Sequence, residues 1–323
     1  MAARILLLVT SPRLPAGLLT AAAWDAVRSY PVFASAESDQ AEALRKSGVP
    51  VTVIEPDPAL LLDAIRSDGH EAVVWLAGPA GDEHFARQLG LSLAREPHLA
   101  DLELLHGSWD PPGARLLDAV AVMDRLVSPG GDPWKRAQSH RTLAPYLLEE
   151  AYEAYDAIES GDLDALREEL GDVLLQIVLH ARLAEELPAQ EAWNIDDVAG
   201  GLVEKMVRRN PHVFAGESIE DIEEITENWE RIKKAEKSRE SVLDGIALSQ
   251  PALALAAKIL QRTARAGLPV RPPQSPDLGA TLLRLVAEAR EAGEDAEAAL
   301  RKAALDFAGD VRDAERKNVG PAE

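Results

Sequence analysis

Two bursts of acidic residues, separated by a short break, occupy residues 146–176 of the chain. Both bursts lie among leucine, alanine and valine residues whose spacing of three and four is typical of amphipathic helices. The acids are Glu149, Glu150 and Glu153 in the first burst, and Glu168, Glu169 and Asp172 in the second. The break, Ser160-Gly161-Asp162, combines a helix-ending glycine with a capping aspartate, so the stretch predicts two adjacent helices folded into an antiparallel hairpin.

Helix signals dominate the chain from Ala114 onward, where no strand is expected. Four helices with short or moderate connections predict a helical bundle. The predicted helices run from the N-cap Thr142 to Glu159, from the cap Asp162 to Leu187, from after Asn194 to before Pro211, and from Ser218, with Asp221 as its capping-box partner, to at least Lys237.

The first third of the chain alternates short apolar runs with helical stretches, and this order predicts an α/β domain with a parallel, Rossmann-like sheet. The predicted strands cover residues 4–9, 31–34, 51–54 and 72–77, and the predicted helices cover residues 18–29, 39–47 and 59–67. The segment Gly107-Ser-Trp-Asp-Pro-Pro-Gly113 breaks both element types, so it marks a boundary.

Composition narrows the class of protein further. Apolar residues make up 46% of the 323 residues and aromatic residues only 4%, which favours helices over a β-sandwich. A net charge of −21 argues against nucleic-acid and membrane-surface partners. Cysteine is absent, so disulfides and thiolate chemistry are excluded. Because no apolar run is long enough to span a bilayer, we expect a soluble, cytoplasmic protein.

The acid pairs carry the first chemical hypothesis. Glu150 and Glu153 share one helix face, Glu169 and Asp172 share another, and the hairpin brings both pairs together. Four carboxylates in a partly apolar seam repel one another, and a hard cation such as Mg²⁺ or Mn²⁺ would offset that cost. Gly171, unfavourable inside a helix, suggests close approach of another element or a ligand. The alternative is a pair of glutamate-rich surface helices.

A basic cluster follows on the third predicted helix. Lys205 and Arg209 lie one turn apart, with Arg208 beside them, and the fourth helix carries Trp229 and Lys233 one turn apart. In so acidic a chain, these cations indicate a polyphosphate ligand. Trp229 either stacks on a nucleobase or belongs to the core.

Together these motifs resemble the MazG family of nucleoside triphosphate pyrophosphohydrolases over about residues 116–246. The quoted motifs are Glu149-Glu150-Ala-Tyr-Glu153, Glu169-Leu-Gly-Asp172, Lys205-x-x-Arg-Arg209-x-Pro-His-Val-Phe and Asn228-Trp229-Glu-x-x-Lys233, preceded by Asp132-Pro-Trp134-Lys-x-x-Gln138-Ser-His140. The resemblance implies an all-α, homodimeric domain that hydrolyses nucleoside triphosphates to monophosphate and pyrophosphate with Mg²⁺, or with Mn²⁺ as substitute.

The resemblance also implies roles for individual residues. The metal ligands would be Glu150, Glu153, Glu169 and Asp172, and Glu149 is a spare acid and a candidate base. The nucleotide would be bound by Trp134, Lys205, Arg208, Arg209, Trp229 and Lys233. Which acid is the base, and which phosphorus is attacked, stays open.

Three domains are predicted: a degenerate α/β domain over residues 1–113, the catalytic domain over residues 114–246, and a helical segment over residues 247–323. Residues 250–268 resemble the start of a second MazG copy, and residues 277–290 can be laid over residues 169–182, with Ala280 matching Asp172. The segment is either a degenerate repeat or a chance similarity. Residues 10–20 faintly resemble tetrapyrrole methylases but lack the expected glycine-rich loop.

Two other functions compete with pyrophosphohydrolysis. A di-iron carboxylate bundle needs Glu-x-x-His pairs on helices, and only Glu103-Leu-Leu-His106 offers that spacing. A dimer that binds and senses nucleotide without turnover fits the same motifs.

Overall fold

The structure is a computed structural model that describes residues 3–79, 81–215, 221, 224–225, 228–229, 231–232 and 241–318. The chain divides into two compact units, Met1–Leu202 and Val203–Glu323. The domain boundaries expected near residues 113 and 246 stay predictions.

Unit one begins with a parallel five-stranded sheet in the order β3-β2-β4-β1-β5. Helices alternate with these strands, which confirms the expected α/β organisation. The strands are β1 (Ala3–Val9), β2 (Val32–Ala34), β3 (Val51–Val53), β4 (Ala72–Leu76) and β5 (Ala100–His106), and the helices are α1 (Ala21–Ser29), α2 (Asp39–Lys46), α3 (Pro58–Asp68) and α4 (Glu83–Arg95).

The central strand β4 is buried along its whole length. A continuous apolar run is what a parallel strand needs when helices cover both faces of the sheet. On one face Trp75 stacks on Phe85 with ring centroids 3.9 Å apart. The indole of Trp75 donates a 2.8 Å hydrogen bond to Asp82, so the largest core side chain keeps its polar atom satisfied.

Strand β5 was not predicted from the sequence. Its side chains are mostly exposed, as befits the edge of the sheet, and its acidic residues weaken the strand pattern. Glu103 and His106 both lie on this strand, so they have no helical face to share. This position therefore does not supply the helical Glu-x-x-His pair that a di-iron bundle requires.

The carboxyl edge of the sheet is joined to the helices that follow by ion pairs. Arg13, just after β1, pairs with Asp110 and lies 2.6 Å from Asp118. Asp118 belongs to α5 (Arg115–Val127). Only 10% of the Arg13 side chain is exposed, so its cation is held between the two carboxylates.

The predicted hairpin is present as α7 (His140–Ser160) and α8 (Leu163–Ala184), preceded by the short helix α6 (Pro133–Arg136). Gly161 ends α7 in the left-handed conformation, with φ of 71°, and Asp162 caps α8 by accepting backbone hydrogen bonds. The sequence predicted Thr142 as the N-cap of α7, and this prediction is wrong. Ser139 is the cap: its hydroxyl oxygen accepts from the Thr142 backbone N–H, and the Thr142 hydroxyl oxygen accepts from the Ser139 backbone N–H, which makes a capping box.

A small apolar core joins α5, α7 and α8. Its buried residues are Met123, Val127, Leu143, Val178 and Leu179. At the edge of this core, Arg182 of α8 donates a 2.7 Å hydrogen bond to Asp124 of α5. The hairpin is thus anchored to α5 by packing and by charge.

Within the described residues after Gly113, every regular element is a helix. The remaining helices are α9 (Ile195–Arg209), α10 (Pro211–Phe214), α11 (Ala252–Arg265), α12 (Leu278–Glu291) and α13 (Ala296–Asn318). In unit two, α11, α12 and α13 pack against one another. The helix expected from Ser218 to Lys237 falls mostly outside the described residues, and the four-helix bundle stays a prediction.

Among the helices in the described ranges, none combines the length and the apolar character that crossing a lipid bilayer requires.

Candidate metal centre on the helical hairpin

Side-chain contacts between α7 and α8 show why the acids converge. His140 lies against His180 with their Nδ1 atoms 2.8 Å apart, at the open end of the hairpin. Toward the Gly161 turn, Glu150 is near Asp172 and Glu153 is near Glu169. The pairing runs in opposite directions along the two helices, so the hairpin is antiparallel.

Three carboxylates form the centre of the site. Oxygen atoms of Glu150, Glu169 and Asp172 all lie within 4.8 Å of one another, and the three residues are half-buried. No other group of three or more acidic, histidine or cysteine ligands is found in the described part of the chain. The spacing fits a single hard cation or a pair sharing carboxylates.

The other two predicted acids differ in position. Glu153 is exposed, but it lies close enough for its charge to raise the pKa of both Glu150 and Glu169. Glu149 is exposed and lies outside the three-carboxylate group. The structure thus brings Glu153 to the border of the centre and leaves Glu149 on the helix surface.

The electrostatics of the centre favour an added positive charge. Desolvation, followed by the charges of Asp172 and Glu153, raises the pKa of Glu150 above its ordinary value. Desolvation, with Glu153 and Asp172, likewise raises the pKa of Glu169. Neighbouring carboxylates oppose each other's ionisation. A cation between them stabilises their charged form.

The sequence reasoning missed Gln176. This glutamine is 4% exposed, and its side chain lies close enough to Glu150 to oppose the rise of the Glu150 pKa. It lies four residues after Asp172, and residues three or four apart share one face of a helix. The same spacing that grouped Glu169 with Asp172 therefore could have predicted Gln176 as a site residue.

Gly171 does not mark a crowded contact within the chain. It is exposed, and a Cβ atom added there would meet nothing within 4 Å. The expectation that another described element approaches this glycine is therefore wrong. Space beside the acid pair is open.

Trp134 lies on α6 and is 47% exposed. Its ring meets the edge of Tyr146 at a centroid distance of 5.7 Å, and Lys135 lies over the indole at the same distance. Tyr146 precedes Glu150 by four residues on α7, so this aromatic pair lies about one helical turn from the carboxylate centre.

The other predicted nucleotide-binding residues lie in unit two. Lys205 and Arg209 are half-buried near the end of α9, and Arg208 is exposed. The Arg209 guanidinium lies over the Trp229 ring, 5.5 Å from its centroid, and Trp229 is itself half-buried. Lys233 lies outside the described residues.

A hairpin of two helices that gathers carboxylates for a hard cation defines a class of carboxylate-bearing all-α domains. A comparison with family models identifies the domain: the MazG nucleotide pyrophosphohydrolase domain matches residues 138–214. The matched range contains α7, α8 and all five predicted acids.

Related proteins extend beyond that domain. The chain is 43% identical to a nucleoside triphosphate pyrophosphohydrolase of Mycobacterium tuberculosis over 253 residues, which is 76% of this chain and 74% of the relative. It is 48% identical to an uncharacterized 26.1 kDa protein of Streptomyces cacaoi, over 73% of this chain and 96% of that protein. An Escherichia coli K12 nucleoside triphosphate pyrophosphohydrolase is 43% identical, over 46% of this chain and 57% of its own length.

The chain belongs to the MazG family of nucleoside triphosphate pyrophosphohydrolases, hydrolases that act on acid anhydrides. The family resemblance stated from the sequence motifs is confirmed.

Proposed function

We propose that this protein hydrolyses nucleoside triphosphates to nucleoside monophosphate and pyrophosphate in an Mg²⁺-dependent reaction, with Mn²⁺ as a substitute. The observation that carries the proposal is the convergence of Glu150, Glu169 and Asp172 within 4.8 Å on one hairpin. The relatives named as pyrophosphohydrolases support the same reaction.

The residues present fit a hard divalent cation. The donors are all carboxylate oxygens, the ligand type that Mg²⁺ and Mn²⁺ prefer. Desolvation, together with the mutual repulsion of the carboxylates, raises the pKa values of Glu150 and Glu169, and a bound cation would offset this cost. When bound, the cation supplies Lewis-acid polarisation of phosphate oxygens and neutralises the leaving pyrophosphate.

Each acid then has a separate task. Glu150, Glu169 and Asp172 hold the cation, and Glu153 completes the ligand set from the border of the centre. Glu149 is the acid left over, exposed beside the centre, and it is the candidate for the base that accepts a proton from the attacking water. The water oxygen ends on one phosphorus of the α–β anhydride, and the bridging P–O bond breaks.

The basic residues of α9 are assigned to the phosphates. Lys205, Arg208 and Arg209 present cations that stabilise the charge building up on the departing group. Trp229 and Lys233 complete the nucleotide-binding set, and Trp134 is assigned to the same role. Hydrolysis at the α–β anhydride clears triphosphates from the nucleotide pool, so the reaction suits nucleotide housecleaning in the cytoplasm.

A homodimer is part of the proposal. The hairpin exposes apolar side chains that a monomer would leave in water: Leu147, Leu148, Ile158, Leu163, Leu170 and Ile177. Leu163 is 76% exposed, and exposed apolar side chains concentrated on one hairpin are typical of an interface. A second copy presenting the same hairpin would cover them symmetrically.

The test is product analysis on the purified protein. With Mg²⁺ and a panel of nucleoside triphosphates, we expect monophosphate and pyrophosphate in equal amounts, and no turnover after chelation of the metal. Diphosphate and inorganic phosphate as products would exclude the reaction. Nucleotide binding without any product would instead identify a sensing protein.

A further inference from the structure

Gln176 is a buried polar residue beside the carboxylate centre. It is 4% exposed, and its Oε1 atom is fully buried with no hydrogen-bond partner among the described residues. Leaving a buried acceptor unsatisfied destabilises the folded protein, and an apolar side chain of similar size would avoid that cost. The neighbouring buried residues Val178 and Leu179 show that this part of α8 accepts apolar side chains.

The position of Gln176 connects it to both helices of the site. It follows Asp172 by four residues and Glu169 by seven, so the three share one face of α8. Across the hairpin its side chain lies close enough to Glu150 of α7 to oppose the rise of the Glu150 pKa. A carboxylate only accepts hydrogen bonds, so the amide nitrogen of Gln176 is the atom that can donate to Glu150.

We propose that Gln176 is a positioning residue for the metal centre, an inference that rests on the proposed function. Its N–H group holds one oxygen of Glu150 and so fixes the orientation of that carboxylate. The other Glu150 oxygen is left for the cation.

The C-terminal segment offers an internal comparison. When residues 277–290 are laid over residues 169–182, Gln176 matches Arg284. Arg284 donates to the backbone carbonyls of Pro273 and Ser275, and its helix carries Ala280 in place of an acid. A side-chain amide therefore occupies this position on α8, which carries the acid pair, and an arginine occupies it on α12, which does not carry the pair.

Gln176→Met is the direct test, because methionine keeps the size of the side chain and removes the donor. The matched control is Leu179→Met, a buried substitution on the same helix outside the carboxylate centre. The first readout is Mn²⁺ binding by electron paramagnetic resonance, with nucleotide absent. We expect Gln176→Met to weaken Mn²⁺ binding by about tenfold or more, and Leu179→Met to leave it near the wild-type value.

Kinetics at saturating Mg²⁺ supply a second readout. A positioning residue should lower kcat of Gln176→Met with little change in KM for nucleotide. Circular dichroism checks that the variant is folded, and Gln176→Leu replaces it if it is not. Wild-type Mn²⁺ affinity in the glutamine variant, or an equal loss in Leu179→Met, would overturn the inference.

The Mn²⁺ measurement also separates two failures. A wild-type protein that binds no Mn²⁺ contradicts the proposed metal centre itself, and the role of Gln176 falls with it. If wild type and Gln176→Met bind Mn²⁺ with equal affinity, the metal centre is supported and only the role of Gln176 is contradicted.

Discussion

Similar residues have different tasks in α8 and α12. In Glu169-Leu-Gly-Asp172, both acids lie inside a 22-residue helix and belong to the carboxylate centre. In the matching Asp277-Leu-Gly-Ala280, the acid precedes the helix, and Asp277 caps α12 by accepting a 2.8 Å hydrogen bond from the Ala280 backbone. Position along the helix decides whether an acid caps the helix or faces a neighbouring helix.

The pKa shifts of the two acids follow from these positions. Glu169 has its pKa raised by desolvation and by neighbouring acids. Asp277 has its pKa lowered by a hydrogen bond from Ser275 and by backbone N–H groups at the helix start. A helix start stabilises a carboxylate, whereas the acid cluster of the hairpin destabilises it until a cation binds.

The helix that accompanies each segment adds to the contrast. In the hairpin, α7 brings Glu150 and Glu153 to the centre. The sequence of α11, which packs on α12, contains Lys258, Arg262 and Arg265 but no acid. A hard cation has enough ligands only when both helices of a pair supply acids. The pair α7 and α8 meets this condition, and the pair α11 and α12 does not.

The largest effect should come from making the hairpin resemble the C-terminal segment. Asp172→Ala removes one of three converging carboxylates, so we expect turnover to fall by at least about 100-fold, beyond the loss typical of a metal-site partner. Pyrophosphate release at saturating Mg²⁺ measures it. A near-normal rate would show that Asp172 is no ligand.

The reciprocal variant, Ala280→Asp, is the control for that comparison. Ala280 is buried, so an aspartate there should destabilise the protein. It should add no Mn²⁺ site, because α11 supplies no carboxylate. A newly gained site would mean that one acid on α12 is sufficient.

A smaller effect is expected from Lys205→Ala. Loss of a cation that contacts phosphate should raise KM for nucleotide by about tenfold, while Mn²⁺ affinity without nucleotide stays unchanged. Lys258→Ala, which removes a lysine that contacts Gln261 on α11, is the matched control and should change neither value. Unchanged kinetics in both variants would place Lys205 on a solvated face.

The hairpin was predictable because its signals are local. Gly161 and Asp162 end one helix and begin the next through their own backbone and side-chain chemistry, and both are found in those roles. The start of α7 was misplaced because Ser139 and Thr142 cap each other, so either hydroxyl matches the sequence signal.

Burial and long-range pairing were not predictable in the same way. Strand β5 depends on pairing with β1, nearly a hundred residues earlier, and its edge position lets Glu103 interrupt the apolar pattern. Gln176 has the spacing of a site residue, but its contact with Glu150 exists only because the hairpin closes. Such contacts depend on tertiary packing, which one-dimensional patterns do not encode.

The pH dependence of stability should differ in sign between the two segments. Because the folded-state pKa of Glu150 is raised, its stabilising contribution is present below its ordinary pKa and is lost as pH rises through the folded value. In metal-free protein, Glu150→Gln should therefore be more stable than wild type at neutral pH and lose that advantage as pH falls below the ordinary glutamate pKa.

Asp277→Asn should behave in the opposite way. The folded-state pKa of Asp277 is lowered, so its stabilisation is present above the ordinary aspartate value and is lost as pH falls through the folded value. The variant should be less stable than wild type at neutral pH and equal to it in acid. Urea unfolding of both variants across pH tests the pair, and the same sign in both would contradict the contrast.

The smallest effect concerns the glycines that occupy matching positions. Gly171 lies inside α8 with open space around it, so Gly171→Ala should stabilise the metal-free protein by about 0.5–1 kcal/mol. Gly279 lies in the first turn of α12, where an added Cβ would meet Asp277 Oδ1 at 3.4 Å, and Gly279→Ala should gain less. Urea unfolding measures both. If Gly171→Ala is more stable yet loses turnover or dimerisation, the open space is used by nucleotide or by the second copy. If turnover and dimerisation are unchanged, the glycine has no such use, and the acids alone distinguish the two segments.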